Sequence, residues 1–585
     1  GIYMDFNIDK EMRELIFCLL KEDNWITGDE LSIRLGWNKK KIQNIIRRLS
    51  EKFGSQCVIL SKKNRGYLLV GIYDELKRYL MQYIFYNDRY FNLEERKVMI
   101  ILDLLFTNNY MPMEKLADKY FVSKTVIFEE IKNLKRWFGR INGLELEVSS
   151  KNGIKIHGDE MTKRYWGAAY GQLDILKLIG ISQHLVMRYQ SIIQMTSDFF
   201  LNEIIKDGVY ISGEDFTFIL RYIAMTELRN SYGFSLKDKG IFIEDSKFLL
   251  KLEEKIDYKF KDVEKRMILF LMHDSNVVSF KNKVGYDRVK IERLENFLSK
   301  KLKVSNLVLF HEKELLYHNI KVMRNRNEYD YHSINYYDKD ILCKYPLSIY
   351  LASQALQMIF HFKPSRTDIL DFSVYIGGII EKHHLHTDIK VLIVGNQKFE
   401  ILDQIKNVLL SFASLKIDIV DLLPTYVLEK ELSILDDYDL FMTTETSTRL
   451  KFSQFIQVPV IMNYQNISLF KKVILTWNKK YNEKKLLKFK NKVKRQQLDT
   501  IYSIEDIVEK DKIQETTIYA LNKNSLCIIY VGKDVQTETV LYTLKRDFTY
   551  EYQKIKKLVY ISYNENEEDI VSYFYDVSSF IQSEL

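Results

Sequence analysis

At 585 residues, 46% hydrophobic and with only 5 prolines, the chain is too apolar for disorder and long enough for about four to six modules rich in long helices. Four scattered cysteines (Cys18, Cys57, Cys343, Cys527) with no CxxC pair speak against a disulfide framework and a zinc site. There is no signal-type opening and no apolar run of about 18 residues to span a bilayer, so a cytoplasmic location is expected.

The net charge of +8 is unevenly held. Residues 38–65 carry +8 and residues 471–495 carry +10, which leaves −10 on the rest. A basic end on an acidic body suits a polyanionic partner.

The predicted elements begin with a helix-turn-helix over residues 1–72. Thr27-Gly28-Asp29-Glu30-Leu31 opens a short helix that Thr27 can cap. Leu35-Gly36-Trp37-Asn38 turns, and Asn38 caps the next helix. Ile42, Ile45, Ile46, Leu49 and Phe53 recur at helical spacing and predict a core-facing stripe. Lys39, Lys40, Gln43, Asn44, Arg47 and Arg48 lie opposite. Lysine and arginine neutralise phosphates, and Gln, Asn and Arg also read base edges in a major groove. Val58-Ile59-Leu60 and Tyr67-Leu68-Leu69-Val70 flank a turn carrying Lys62, Lys63 and Arg65, which predicts a basic wing. Asn38 and these nine residues are the first candidate contacts to double-stranded DNA.

A second unit of the same plan spans residues 73–165. Met113 to Tyr120 and Lys124 to Trp137 read as helices around Phe121-Val122-Ser123, with Ser123 as cap. Ile127, Ile131, Leu134 and Phe138 are expected inside. Leu144 to Val148 and Ile154-Lys155-Ile156 read as strands around the turn Ser149-Ser150-Lys151-Asn152-Gly153. Its candidate DNA contacts are Ser123, Lys124, Thr125, Lys132 and Lys151. Its lower charge leaves a packing or dimerisation role open.

Residues 185–390 read as mostly helical. Ile219 to Arg229 looks like Leu315 to Arg324, and each is followed by a second helix, Glu264 to His273 and Asp371 to Ile380. This predicts a duplicated helical domain, residues 185–290 and 295–387. Beyond residue 388 the texture turns α/β. Lys390 to Gly395, Ile417 to Val420, Asp439 to Thr444 and Val458 to Met462 read as strands and residues 399–413 as a helix. The stretch 471–499 reads as a basic helical linker, solvated or touching DNA or an acidic partner. In residues 500–585, Ser525 to Val531 and Lys557 to Ser562 read as strands before a helix from Glu567.

Two such heads followed by two helical repeats resemble the regulators that carry phosphotransferase-system regulation domains. These are bacterial activators of the mannitol and licheninan operon type, with the Mga and AtxA virulence regulators as relatives. The second wing, ending Asn152-Gly153-Ile154-Lys155-Ile156-His157-Gly158-Asp159-Glu160, is the strongest local match. The resemblance implies a multidomain, mainly α architecture: two N-terminal winged helix-turn-helix domains, two helical regulation domains, then α/β modules like the IIB component (388–470) and the IIA component (500–585) of sugar transporters. It also implies a homodimer, and histidines phosphorylated by the phosphocarrier protein of that system. His273 and His318 match two of the four expected positions, with His311 a rival to His318. Tyr222 and Tyr375 occupy the other two. The phosphorylated cysteine of a IIB module is missing near Gly395, and no histidine follows His386, so the tail lacks IIA chemistry.

No P-loop, dinucleotide fingerprint or zincin motif is present. No catalytic residue, cofactor or metal is therefore expected, although His383-His384-Leu385-His386 is a chelating pattern in isolation. An RNA-binding antiterminator and a regulator controlled by direct ligand or protein binding remain alternatives.

Overall fold

The N-terminal third builds one plan twice. In the computed structural model the first copy runs α1 (Lys10–Leu20), α2 (Gly28–Leu35), α3 (Lys39–Phe53), β1 (Cys57–Lys62) and β2 (Gly66–Ile72). The second runs α4 (Leu93–Leu105), α5 (Met113–Lys119), α6 (Lys124–Phe138), β3 (Leu144–Ser149) and β4 (Gly153–Gly158). Each hairpin is antiparallel. In each, the segment before the second helix joins the hairpin: Ile26 bridges to Tyr67, and Met111 to Ile154. The residues described are 8–22, 24–73, 75–80, 93–138, 144–237, 247–281, 284–305, 307, 313–328, 344–383, 385–412, 414–445, 454–522, 524–551 and 553–585. The side chain of Phe138 and all of His311 and His384 fall outside them.

A helical body follows: α7 (Glu160–Tyr170), α8 (Leu173–Leu178), α9 (Gln183–Asp207), α10 (Gly213–Ser231), α11 (Lys247–Ile256) and α12 (Asp262–His273), with β5 (Val209–Ile211) pairing antiparallel to β6 (Val277–Phe280). One continuous apolar core runs from the first head through these helices. Four more helices follow: α13 (Arg288–Leu302), α14 (Lys313–Glu328), α15 (Pro346–Met358) and α16 (Arg366–Lys382).

The described chain divides into two compact units. One is Gly1–Asp287 with His311–Ile334, the other Arg288–Phe310 with Asn335–Leu585. Thus α14, which the repeat pattern groups with α13, α15 and α16, belongs by its contacts to the first unit. The side chain of Asn319 explains why. It accepts from Val277 N–H at 2.9 Å and donates to Val277 C=O at 3.2 Å, completing the edge of β6.

In the second unit, β7 (Ile389–Val394), β8 (Ile417–Leu423), β9 (Leu440–Thr443) and β10 (Phe455–Gln457) form a fully parallel sheet in the order β10-β9-β7-β8. Helices α17 (Phe399–Leu410) and α18 (Thr425–Lys430) intervene. The fourth strand lies before Val458, not over Val458 to Met462 as the apolar run suggests. Pro459 has no N–H to give a ladder, and the chain turns there toward the next helix. The basic stretch is no free-standing connector. It lies within α19 (Tyr464–Lys492), whose Phe470 and Ile474 enter the core of the parallel sheet. Directly after it, β11 (Lys494–Leu498) pairs parallel with β14 (Glu538–Tyr550). The remaining strands, β12 (Thr517–Ala520), β13 (Ser525–Gly532) and β15 (Gln553–Asn564), complete a mixed sheet β11-β14-β15-β13-β12. The final helix, α20 (Ile570–Glu584), places Phe580 beside Phe489 of α19.

Candidate nucleic-acid interface

The first head is fixed by its caps. Thr27 Oγ1 accepts the N–H of Glu30 at 3.2 Å and Glu30 Oε2 accepts the N–H of Thr27 at 3.0 Å, a reciprocal capping box. Gly36, at φ +68°, ends α2 in the left-handed conformation, and Asn38 Oδ1 caps α3 through the N–H of Lys41 at 2.8 Å. Ile42, Ile45, Leu49 and Phe53 are buried, Ile46 partly so. Each fully buried side chain of this size contributes about 1.5–3 kcal/mol. That stripe fixes the rotation of α3 and turns Lys40, Gln43, Asn44 and Arg47 to solvent together, at spacings of three and four.

The basic residues of α3 are not equivalent. Arg48 sits on the flank toward α1, with its guanidinium on the carboxylate of Asp9. Lys41 reaches Glu11 at 2.8 Å on the same flank, and Lys39 reaches Asp29 at 2.6 Å. Burial works against it, but the Met12 N–H and Arg48 hold the Asp9 carboxyl below the usual carboxylate range. Arg47 meets Glu51 at 3.1 Å with both side chains well exposed, a pairing that a phosphate can displace. Among the described residues, Lys40 makes no ion pair.

The wing is locked to this helix pair through glycine. Gly66 has φ +97°, and a Cβ there would stand 2.0 Å from the carbonyl oxygen of Ile26. That closeness permits the exchange Ile26 N–H to Tyr67 C=O (2.9 Å) and Tyr67 N–H to Ile26 C=O (2.8 Å). Lys62, Lys63 and Arg65 are exposed around the tip, where Asn64 takes φ +67°.

The second head repeats the clasp. Gly153 has φ +106°, a Cβ would meet Met111 C=O at 2.2 Å, and Met111 and Ile154 exchange two bonds of 2.8 Å. Ser123 Oγ accepts the N–H of Val126 at 3.2 Å. The outward face of α6 is mixed. Lys124 pairs with Glu114, and Lys132 meets Glu129 at 3.5 Å while its ammonium lies 4.6 Å over the Phe128 ring. Thr125 and Lys151 are exposed, and so are Val126 and Phe128. The denser positive face therefore belongs to the first head.

Behind the second head lies a buried ion cluster that the linear motifs did not reveal. Arg164, fully buried on α7, donates to Glu264 of α12 at 2.7 Å, Glu160 at 3.0 Å and Asn230 at 2.8 Å. Arg229 of α10 holds Glu160 bidentately at 2.9 and 2.8 Å, lies 3.8 Å from the Phe234 ring centre and donates to the carbonyl of Leu105, the last residue of α4. Two arginines and two glutamates balance, which is how such charges survive burial. The one local clue is Glu160 four residues before Arg164, on a helix otherwise rich in aromatics.

His273 ends α12 and is exposed; His318 on α14 is half-buried, edge-on to Phe280 at 5.8 Å. Burial pushes the His318 imidazole below its ordinary pKa, against a hydrogen bond to the Ser275 backbone that raises it. His318 is thus anchored two residues beyond His273. Tyr222 is buried, and burial pushes its phenol up. The nearby cavity, lined by Tyr165, Asp215, Asp274 and Arg326 among others, measures about 20 Å³, room for a water rather than a sugar.

At Gly395 a Cβ would lie 2.4 Å from Thr444 Oγ1 and 2.8 Å from Gln397 Oε1. His386 is buried, stacked on Tyr575 at 4.0 Å and bonded to Ser572 at 3.1 Å. No cluster of three metal-ligating side chains occurs among the described residues, and none of their helices is long and apolar enough to cross a membrane.

These features define a mainly helical, multidomain chain with a helix-turn-helix head. Residues 75–170 match the Mga helix-turn-helix domain. Over 162 residues the chain is 24% identical to the probable licABCH operon regulator of Bacillus subtilis (strain 168), covering 27% of this chain and 25% of that protein. Over 384 residues it is 22% identical to the transcriptional regulator ManR of the same organism, covering 60% of this chain and 57% of the relative. The similarity to Mga-like transcription regulators with phosphotransferase-system regulation domains thus extends beyond the second head, while the chain spans a quarter to a little over half of these relatives' lengths.

Proposed function

We propose that the chain is a DNA-binding transcription regulator, an activator acting as a homodimer. Both heads are winged helix-turn-helix domains, and the first supplies most of the affinity. The observation that carries this reading is the exposed row Lys40, Gln43, Asn44 and Arg47, held beside a clasped basic hairpin. Phosphate contacts from Lys40, Arg47 and the wing position α3, and Gln43 and Asn44 read base edges. The similarity to operon regulators supports the same reading. The test is the salt dependence of duplex binding. Replacing Lys40 and Arg47 with Ala lowers the log–log slope by up to about 0.9 per lost phosphate contact. Unchanged affinity and slope refute the assignment, and preference for leader RNA over duplex favours the antiterminator alternative.

Control runs through the helical repeats, with the phosphocarrier protein as donor partner and His273 and His318 as acceptors. The hydrogen bond between His318 and Ser275 supports this. It engages one ring nitrogen and leaves the other to act as nucleophile. The phosphorus–nitrogen bond on the carrier breaks as one to His318 or His273 forms. Incubation with phosphocarrier, its kinase and phosphoenolpyruvate labels the parent, and His273→Ala or His318→Ala removes label. An unlabelled parent refutes phosphate control and leaves a direct ligand or protein partner as the signal. The two C-terminal modules are IIB-like and IIA-like folds kept for binding or assembly. Sedimentation of the full chain as a monomer at all concentrations refutes the dimer.

A further inference from the structure

The more basic of the two charged stretches of the sequence, residues 471–495 at +10, is not on either head. Lys472, Lys480, Lys484, Lys488 and Lys492 fall on one row of α19 at four-residue steps, interrupted by Thr476. All five are exposed, and none makes an ion pair among the described residues. Three other basic residues of this region are paired: Lys485 on Asp388, Lys490 on Glu584 at 3.6 Å and Arg495 on Glu584 at 3.0 Å. The sole acid on the helix is Glu483.

This row is costly to fold. Like charges four apart destabilise a helix, and three consecutive pairs do so here. The helix is nevertheless held rigid, by Phe470 and Ile474 in the parallel-sheet core and by Phe489 against Phe580. The result is a fixed rod on which Lys480, Lys484, Lys488 and Lys492 follow at ~6 Å steps over roughly 18 Å, each turned ~40° from the last, with Lys472 about 12 Å further back. A duplex strand presents a phosphate every ~3.4 Å of its axis, and Lys480, Lys484, Lys488 and Lys492, within about 120° of one another around the helix, can meet several of them together.

We infer that the lysine row of α19 is a second, sequence-independent contact to the phosphate backbone of duplex DNA. The inference rests on the proposal that the chain binds duplex DNA, and adds a surface outside both heads.

The experiment uses the full chain and a long mixed-sequence duplex, and compares the parent with the triple variant Lys480→Gln, Lys484→Gln, Lys488→Gln. Glutamine keeps helix propensity at exposed sites, and an unchanged melting curve checks folding. Three lost phosphate contacts lower the slope by up to about 2.7, so the affinity gap between parent and variant narrows about 40-fold from about 50 to about 200 mM salt. Arginine at the same three positions restores the slope. A variant with the parental slope, measured where Lys40→Ala still lowers it, overturns the inference and leaves the first head's role intact. A parent that does not bind duplex at low salt overturns both. Loss of binding to anionic vesicles or an acidic polypeptide with duplex binding unchanged assigns the row to another partner.

Discussion

Replacing Arg229 with Met tests whether the buried cluster joins the second head to the helical body. The methionine fills much of the volume but removes the two bonds to Glu160, at 2.9 and 2.8 Å, and the bond to Leu105 C=O. Breaking one partner of a buried ion pair costs about 3–5 kcal/mol. Glu160 keeps Arg164 at 3.0 Å, which places the expected cost near the lower end, about 3 kcal/mol. A chain of two compact units does not unfold as one two-state transition, so the readout is hydrogen exchange of the amides of α7 and α4. A loss of about 3 kcal/mol accelerates their exchange roughly 100-fold. Glu160→Gln and the double variant close a cycle, with an expected coupling of at least ~1 kcal/mol. Unchanged exchange in Arg229→Met, or singles that add within about 0.5 kcal/mol, refutes the joint.

Three further outcomes are expected. Gly66→Ala loses more melting temperature than Gly36→Ala: both bear the ~1–2 kcal/mol of positive φ, but a Cβ at Gly66 also strikes Ile26 C=O, while nothing lies within 4 Å at Gly36. Equal losses argue against the clasp. Arg48→Ala leaves the salt slope of duplex binding near the parental value, because its guanidinium is committed to Asp9, whereas Lys40→Ala lowers it by up to about 0.9; matching drops mean the Asp9 pair opens on binding. His318 is held below its ordinary 6.5 by burial, so the unfolded form binds the proton first as pH falls. The contribution of His318 to stability is present above 6.5 and is lost as pH drops through 6.5 toward its folded value; protection factors of the β6 amides, corrected for the intrinsic exchange rate at each pH, fall over that window and His318→Gln flattens the effect. A profile identical in parent and variant refutes it.

What was legible in the sequence was local. The α3 stripe and face follow from residues three and four apart, and the caps Thr27 and Asn38 act on neighbours three residues on. Gly66 and Gly153 mark their turns, but their clasp partners, Ile26 and Met111, lie about forty residues away and carry no distinguishing chemistry. The same distance problem hid the pairing of Arg48 with Asp9, which divides an apparently uniform basic face. Arg164 meets Glu264 a hundred residues on, and no periodicity reports such a contact. The basic stretch at 471–495 read as a linker because charge dominates its composition. Its anchors are a few large side chains spaced along a long helix.

The placement of α14 has a practical consequence. The backbone passes from one compact unit to the other three times, after Asp287, after Phe310 and after Ile334. One nick at any of these crossings leaves both units covalently joined, so single-site proteolysis cannot release either. A gene fragment stopping at Asp287 would strip β6 of Asn319 and take from Asp274 C=O the Arg326 guanidinium that donates to it at 2.9 Å. Dissection of this chain must excise an internal segment rather than trim an end.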